Sequence, residues 1–242
     1  MSTNITVAEI KEAFPDEKND ALWTRFVLRP LSYVFAWLFI RLRVSANQVT
    51  YLSILFVIAG SILFGTGSYQ LAILGAVFFN IFSLLDCVDG NIARVHGGNP
   101  FGEWVDALGG YTAYTFLFLS VGVYAEASYG EFWMLGPVDF VLLGAIGAVA
   151  NLLMRVQHQK FKNIRDGGES DDSESGDSGG GDSLQKKVSR NVGITGFLMP
   201  AVLVGVVIGL VDWVLVFYAG FYSAAWIALT VKNVYNVEAI SN

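Results

Sequence analysis

Three aspartates stand beside some of the most apolar sequence in the chain. In LLDCVDGNIARVHGGNPFGEWVDALGG, residues 84–110, these are Asp86, Asp89 and Asp106. An ionised aspartate near mid-bilayer costs roughly 2.5–3.5 kcal/mol on insertion scales, and less near a helix end, so a group of them demands compensation. On a helix Asp86 and Asp89 lie about 60° apart, with Gly90 at about 40° and Ala93 at about −20° from Asp86. Two carboxylates thus share a face with two residues small enough to let a ligand or helix come close. Arg94 flanks that face at about 80° and cannot neutralise all three acids. Asp106 opens the next apolar stretch, with Gly102 one turn before it and Gly110 one turn after. Antiparallel packing across the turn VHGGNPF would converge the three carboxylates, which repel one another unless a cation is present. Oxygen-only donors at a membrane boundary suit Mg²⁺ or Mn²⁺, which keep waters or bind substrate phosphates. With Arg94 alongside, such a pocket suits a nucleotide diphosphate. An Asp–Arg ion pair closing a helix turn would explain one aspartate, but not three among so many glycines.

The elements that must position these residues are membrane helices. The 242 residues are 54% hydrophobic and 14% aromatic, a composition that excludes a soluble binding module. The net charge of −6 comes from acids at the N-terminus and in the run from Asp166 to Asp182. Six stretches are long and apolar enough to span as helices, over 46–65, 70–93, 103–124, 134–157, 191–211 and 213–234. The shorter LSYVFAWLFIRLR, flanked by Arg29, Arg41 and Arg43, reads as a helix lying in the interface. Placing the N-terminus inside puts all 15 basic residues on the cytoplasmic side, as the positive-inside rule asks. The expectation is an all-α integral membrane protein with six transmembrane helices, an N-terminal interfacial helix and both termini cytoplasmic. Its parts are a polar segment 1–23, an interfacial helix 24–43 and a six-helix catalytic domain 44–235. A disordered acidic cytoplasmic loop over 163–187 interrupts the last of these. The single cysteine, Cys87, excludes an intramolecular disulfide. No internal repeat supports an inverted-repeat transporter.

These residues resemble the signature of the CDP-alcohol phosphotransferases of phospholipid synthesis, D-x2-D-G-x2-A-R-x8-G-x3-D-x3-D. Asp86, Asp89, Gly90, Ala93, Arg94, Gly102 and Asp106 match its first seven fixed positions. SANQVT is similar to the family's Pro-Asn-x-x-Thr at the start of the first span, through Asn47 and Thr50. Seven rather than eight residues separate Arg94 from Gly102, and the final aspartate is replaced by Gly110. The resemblance implies a multi-pass cell-membrane enzyme with its active site facing the cytoplasm. An acceptor alcohol would attack the phosphorus of a CDP-linked lipid, and CMP would leave. It implies Asp86, Asp89 and Asp106 as ligands of Mg²⁺ or Mn²⁺, with two ions in the family and one carboxylate of the second site replaced here by Gly110. Asp86, Asp89, Gly90, Ala93, Arg94, Asn47 and Thr50 would bind the nucleotide. Asp106 and Arg94 would be catalytic.

In the family the missing aspartate helps to hold metal and serves as general base. Glu103, one turn before Asp106, is a stand-in, and His96 in the adjoining loop is another. Arg155, Arg190 and Lys232, at the cytoplasmic ends of later spans, are candidates to hold an anionic acceptor such as a phosphorylated polyol. Positive-inside anchoring explains the same three without a ligand. The expected partners are the lipid donor, the acceptor and the bilayer, with a homodimer left open and no nucleic acid. The alternatives are a catalytically impaired relative that binds nucleotide or lipid, and an ion or metal transporter.

Overall fold

A computed structural model describes residues 5–14, 20–98, 101–130, 132, 137–165 and 194–241. The described residues are all-helical. Helix α1 (Val7–Glu12) is opened by a capping box in which Thr6 and Glu9 bond to one another's backbone, which satisfies two otherwise orphaned N–H groups. Hydrogen bonds donated by the Thr6 N–H and the Thr6 hydroxyl hold the exposed Glu9 carboxyl below its ordinary range. A π-helical turn (Thr24–Leu28) leads into α2 (Arg29–Arg41). Then come α3 (Ala46–Gly65), α4 (Tyr69–His96), α5 (Gly102–Ser128) and α6 (Phe140–Arg165). A second π turn (Ile194–Leu198) precedes α7 (Met199–Ile208), and α8 (Val211–Ser241) closes the chain.

Five of these helices are long and apolar enough to cross a membrane: α3, α4, α5, α6 up to Phe161, and α8 up to Val237. The first lies where the sequence places it, because Ser45 and Gln48 form a capping box at its start. Of the stretch expected as a fifth span, 191–211, the described residues hold a shorter apolar helix, Gly196–Ile208. Gly196 leaves helical geometry, and Gly209 stops α7 in the left-handed conformation, where a residue without Cβ carries no steric penalty. At about 1.5 Å per residue, the described turns 194–208 cover roughly 22 Å of the roughly 30 Å hydrocarbon core. Helix α6 begins at Phe140 rather than near 134. Asp139 accepts a hydrogen bond from the Leu142 N–H at 2.7 Å, and Glu126 from α5 accepts one from the Phe140 N–H at 2.8 Å. Most of the acidic segment expected as a disordered loop lies outside the described residues.

Helices α3 to α8 pack as a ring. Helix α3 lies against α4, α4 against α7, α7 against α8, α8 against α6, α6 against α5, and α5 back against α3. Their buried core is aromatic, built on Phe64, Phe79, Phe82, Phe118, Phe140 and Tyr222. The helices alternate in direction. At one end the Tyr69 hydroxyl at the start of α4 donates to the Val207 carbonyl at the end of α7, at 3.0 Å. Toward the other end Tyr111 of α5 donates to Gln159 of α6 (2.7 Å), and Thr230 of α8 to Gln157 of α6 (2.9 Å).

Helix α2 lies outside the ring against α4 and α1. Tyr33, Ala36 and Ile40 turn inward to Val49 of α3 and to Leu85, Val88 and Ile92 of α4. Leu31, Val34, Phe35, Leu38 and Leu42 are exposed, the outer face expected of a helix lying among lipid. Within the polar segment 1–23, Ile10 of α1 is buried in the same small core.

Candidate active site

Leu85, Val88 and Ile92 commit one face of α4 to α2. The face carrying Asp86, Asp89 and Gly90 therefore opens on a cavity of about 260 Å³, with Asp20, Thr24, Arg29, Cys87, Arg94 and Asp106 completing its wall. The three aspartates, Gly90 and Arg94 are thus brought together from two helices. Thr50 joins them from α3: its hydroxyl donates to Asp89 Oδ2. Thr50 is itself packed by α5, because a Cβ at Gly109 would come within 3.2 Å of its methyl group. Gly90 has a similar use. A Cβ there would stand 3.2 Å from the Arg94 guanidinium, so the glycine leaves room for that side chain to lie back along its own helix.

A second cavity of about 680 Å³ opens beside the first, lined by Glu103, Tyr111, Arg155, His158, Gln159 and Lys232 among others, and again by Asp106. Asp106 is therefore common to both. Arg155 is held over the ring of Tyr114, 4.2 Å from its centroid. Its guanidinium also closes on Gly110, since a Cβ there would lie 3.5 Å from an Arg155 terminal nitrogen, in ordinary contact.

Not every expected residue reaches a cavity. Asn47 and Ala93 are half-buried and line neither. His96 bends back on its own helix, with Nδ1 3.2 Å from the Ile92 carbonyl. Arg190 lies outside the described residues. Sequence reading missed Asp20, Thr24, Arg29 and His158. Arg29 reads as a membrane-edge charge, and nothing local in the polar N-terminus marks Asp20 as part of a site. Arg29 is anchored by Asp20, with Nε to Oδ2 at 2.6 Å and a terminal nitrogen to Oδ1 at 3.2 Å. Burial pulls its guanidinium down, the Asp20 hydrogen bond and neighbouring charges push it up, and the net direction is up.

Among the described residues, no three His, Cys, Asp or Glu side chains form a ready-made metal cluster. The donor set nevertheless fits an oxygen-seeking divalent cation: three carboxylates face one space, and the Thr50 hydroxyl fixes one of Asp89's oxygens. Such ions keep several waters and need few protein ligands.

Apolar helices with carboxylates and guanidinium groups gathered toward one end mark a multi-pass membrane protein. The sequence model of the CDP-alcohol phosphatidyltransferase family matches residues 43–218, most of the chain, and the chain belongs to that family. No curated protein matches it. Membership implies a transferase of the phospholipid-synthesis type, with a CDP-alcohol donor and an alcohol acceptor, in a family that is generally divalent-metal dependent.

Proposed function

We propose that the chain transfers a phosphatidyl-type group from a CDP-linked lipid to an acceptor alcohol, releasing CMP. The observation that carries this reading is Asp106, which lines both the cavity holding Asp86, Asp89 and Arg94 and the cavity holding Arg155 and Lys232. Donor and acceptor would meet at that residue. The donor's diphosphate belongs in the first cavity, where Arg94 offers a planar fork to phosphate oxygens and Gly90 gives that fork room. Asp86, Asp89 and Asp106 would hold the divalent cations, which when bound neutralise the charge developing on the diphosphate. Thr50 keeps the Asp89 carboxylate oriented. The larger cavity takes the acceptor, and Arg155 and Lys232 suit an anionic group such as a phosphorylated polyol.

The acceptor oxygen forms a bond to the lipid-side phosphorus as the bond from that phosphorus to the CMP oxygen breaks, and CMP leaves with the electron pair. The hydroxyl proton must go to a base. At position 110 the neighbouring group is a guanidinium, so the proton acceptor is sought on the wall of the larger cavity. Glu103 is there; His96 is not.

The basic end of the ring faces the cytoplasm in this reading, with both termini on that side and α7 with its preceding turn as a sixth crossing. No feature of the described residues supports a homodimer. A second reading, a relative that binds donor without transferring it, is favoured by Arg155 beside Gly110. The test is to incubate the purified protein with CDP-linked lipid, Mg²⁺ or Mn²⁺ and a panel of alcohols. CMP release matched by new lipid product supports transfer. Donor binding with no CMP release from any alcohol supports the second reading, and ion flux through liposomes without nucleotide binding would support a transporter.

A further inference from the structure

The family match begins at residue 43, yet the donor-side cavity is walled in part by residues upstream of it. Arg29 is one of them, with only 8% of its surface exposed. Two of its nitrogens are taken by Asp20 in a fork-on-carboxylate arrangement. Another is 3.5 Å from Asn91 Oδ1, and the Asn91 amide donates to Ser32 Oγ at 2.9 Å. The guanidinium is therefore fixed against α4, two residues beyond Asp89. Phe14 adds a second relation. Its ring centroid is 3.9 Å from the Arg29 guanidinium carbon and 4.4 Å from that of Arg94, which keeps the two cations within about 8 Å of each other. Two guanidinium groups repel, and the negative face of an aromatic ring is one of the few neutral partners that attracts both.

An Asp–Arg pair that only tied the N-terminus down would account for Asp20. It would not account for a second arginine on the same ring, nor for the pair standing on the wall shared with Asp86, Asp89 and Asp106.

We infer that Arg29 is a second phosphate-binding cation of the donor site, and that the Asp20 carboxylate occupies its fork until the donor's diphosphate replaces it. This rests on the CDP-linked donor proposed above. The exchange is physically reasonable because a guanidinium accepts carboxylate and phosphate in the same two-pronged geometry. One oxyanion replaces another, so the buried cation is never left unpaired, which is the costly alternative. Phe14 holds Arg29 and Arg94 as a pair through the exchange, so the two forks present themselves to one ligand.

The test is the affinity of the full-length protein in detergent with Mg²⁺, for CMP and for a CDP-linked lipid. The variants are Asp20→Asn, Arg29→Gln, Arg29→Lys and the double Asp20→Asn/Arg29→Gln, each with a thermal unfolding profile. Removing the competing carboxylate should tighten binding of the CDP-linked lipid by roughly three- to tenfold, and Arg29→Gln should weaken it by roughly tenfold or more. Arg29→Lys, which keeps the charge and loses the fork, should fall between. Asp20→Asn should add nothing once Arg29 is glutamine. A purely structural pair predicts the opposite sign: Asp20→Asn would then lower thermal stability and weaken binding, or leave binding unchanged, and either result overturns the inference. Wild-type protein that binds neither probe overturns the donor reading and this inference together. Wild-type binding with no tightening in Asp20→Asn overturns this inference alone.

Discussion

At the scale of single residues the site depends on small groups that orient larger ones. The Thr50 hydroxyl reaches Asp89 across the α3–α4 interface, so Thr50→Val keeps the shape and deletes the hydrogen bond. Loss of such a supporting contact commonly costs 10- to 100-fold in metal affinity or activity. We expect roughly tenfold weaker divalent-ion activation of CMP release, read from a metal titration; an unchanged titration would remove Thr50 from the site. Gly110 is the other informative position. A carboxylate there would face the Arg155 guanidinium at close range. Gly110→Asp is expected to raise acceptor-dependent turnover roughly tenfold, below the 10²–10⁴ of an unencumbered general base, because the arginine holds part of the new charge. A fall in turnover would show instead that Arg155 needs that space open for the acceptor. Asp86, Asp89, Gly90, Arg94 and Asp106 were legible because their spacing is a helical pattern as well as a family one. Asp20, Arg29 and Phe14 were not, because they meet the others only through the docking of α1 and α2.

At the scale of elements, close helix approach is what lets α3 deliver Thr50 to α4. A Cβ on Gly75 would come within 2.7 Å of the Gly60 carbonyl and 2.9 Å of the Phe64 ring, so neither helix can retreat without giving up the buried Phe64–Phe79 contact. Gly75→Val should therefore cost about 1–3 kcal/mol by overpacking, seen as a lower unfolding temperature in detergent. An unaltered temperature would mean that the α3–α4 interface is looser than its geometry. The ends of these elements show why apolar runs alone misplace helices. Helix α3 starts where expected because Ser45 and Gln48 cap it. Helix α6 starts later than its apolar run because Asp139 and Glu126 offer acceptors to its first N–H groups. Hydropathy over 191–211 is continuous, but the break at Gly196 and the stop at Gly209 are backbone events that composition does not record.

At the scale of the whole molecule, alternation around the ring brings the ends of α4, α5, α6 and α8 that carry Arg94, Asp106, Arg155 and Lys232 to one side. Loops near Thr66, Ser128 and Gly209 lie on the other. Positive-inside orientation then predicts that a membrane-impermeant thiol reagent labels Thr66→Cys and Ser128→Cys in intact cells, and Glu12→Cys only after permeabilisation. The native Cys87 is buried and should stay unlabelled. Labelling of Glu12→Cys from outside would invert the topology and turn the site away from the cytoplasm. The general plan, apolar helices with acids and bases collected at one end, was readable from the chain because charge is excluded from hydrocarbon. The shared wall at Asp106 was not, since it depends on how far α8 leans over α5 and α6.

The central claim is that the carboxylates of α4 and α5 form a divalent-cation site that drives transfer from a CDP-linked lipid. It is tested most directly by measuring Mg²⁺- or Mn²⁺-dependent CMP release by the wild-type protein beside Asp89→Asn, in the same detergent and with the same acceptor panel. The account predicts metal-dependent release with an equimolar new lipid in the wild type and loss of both in the variant. Undiminished release by Asp89→Asn would contradict it.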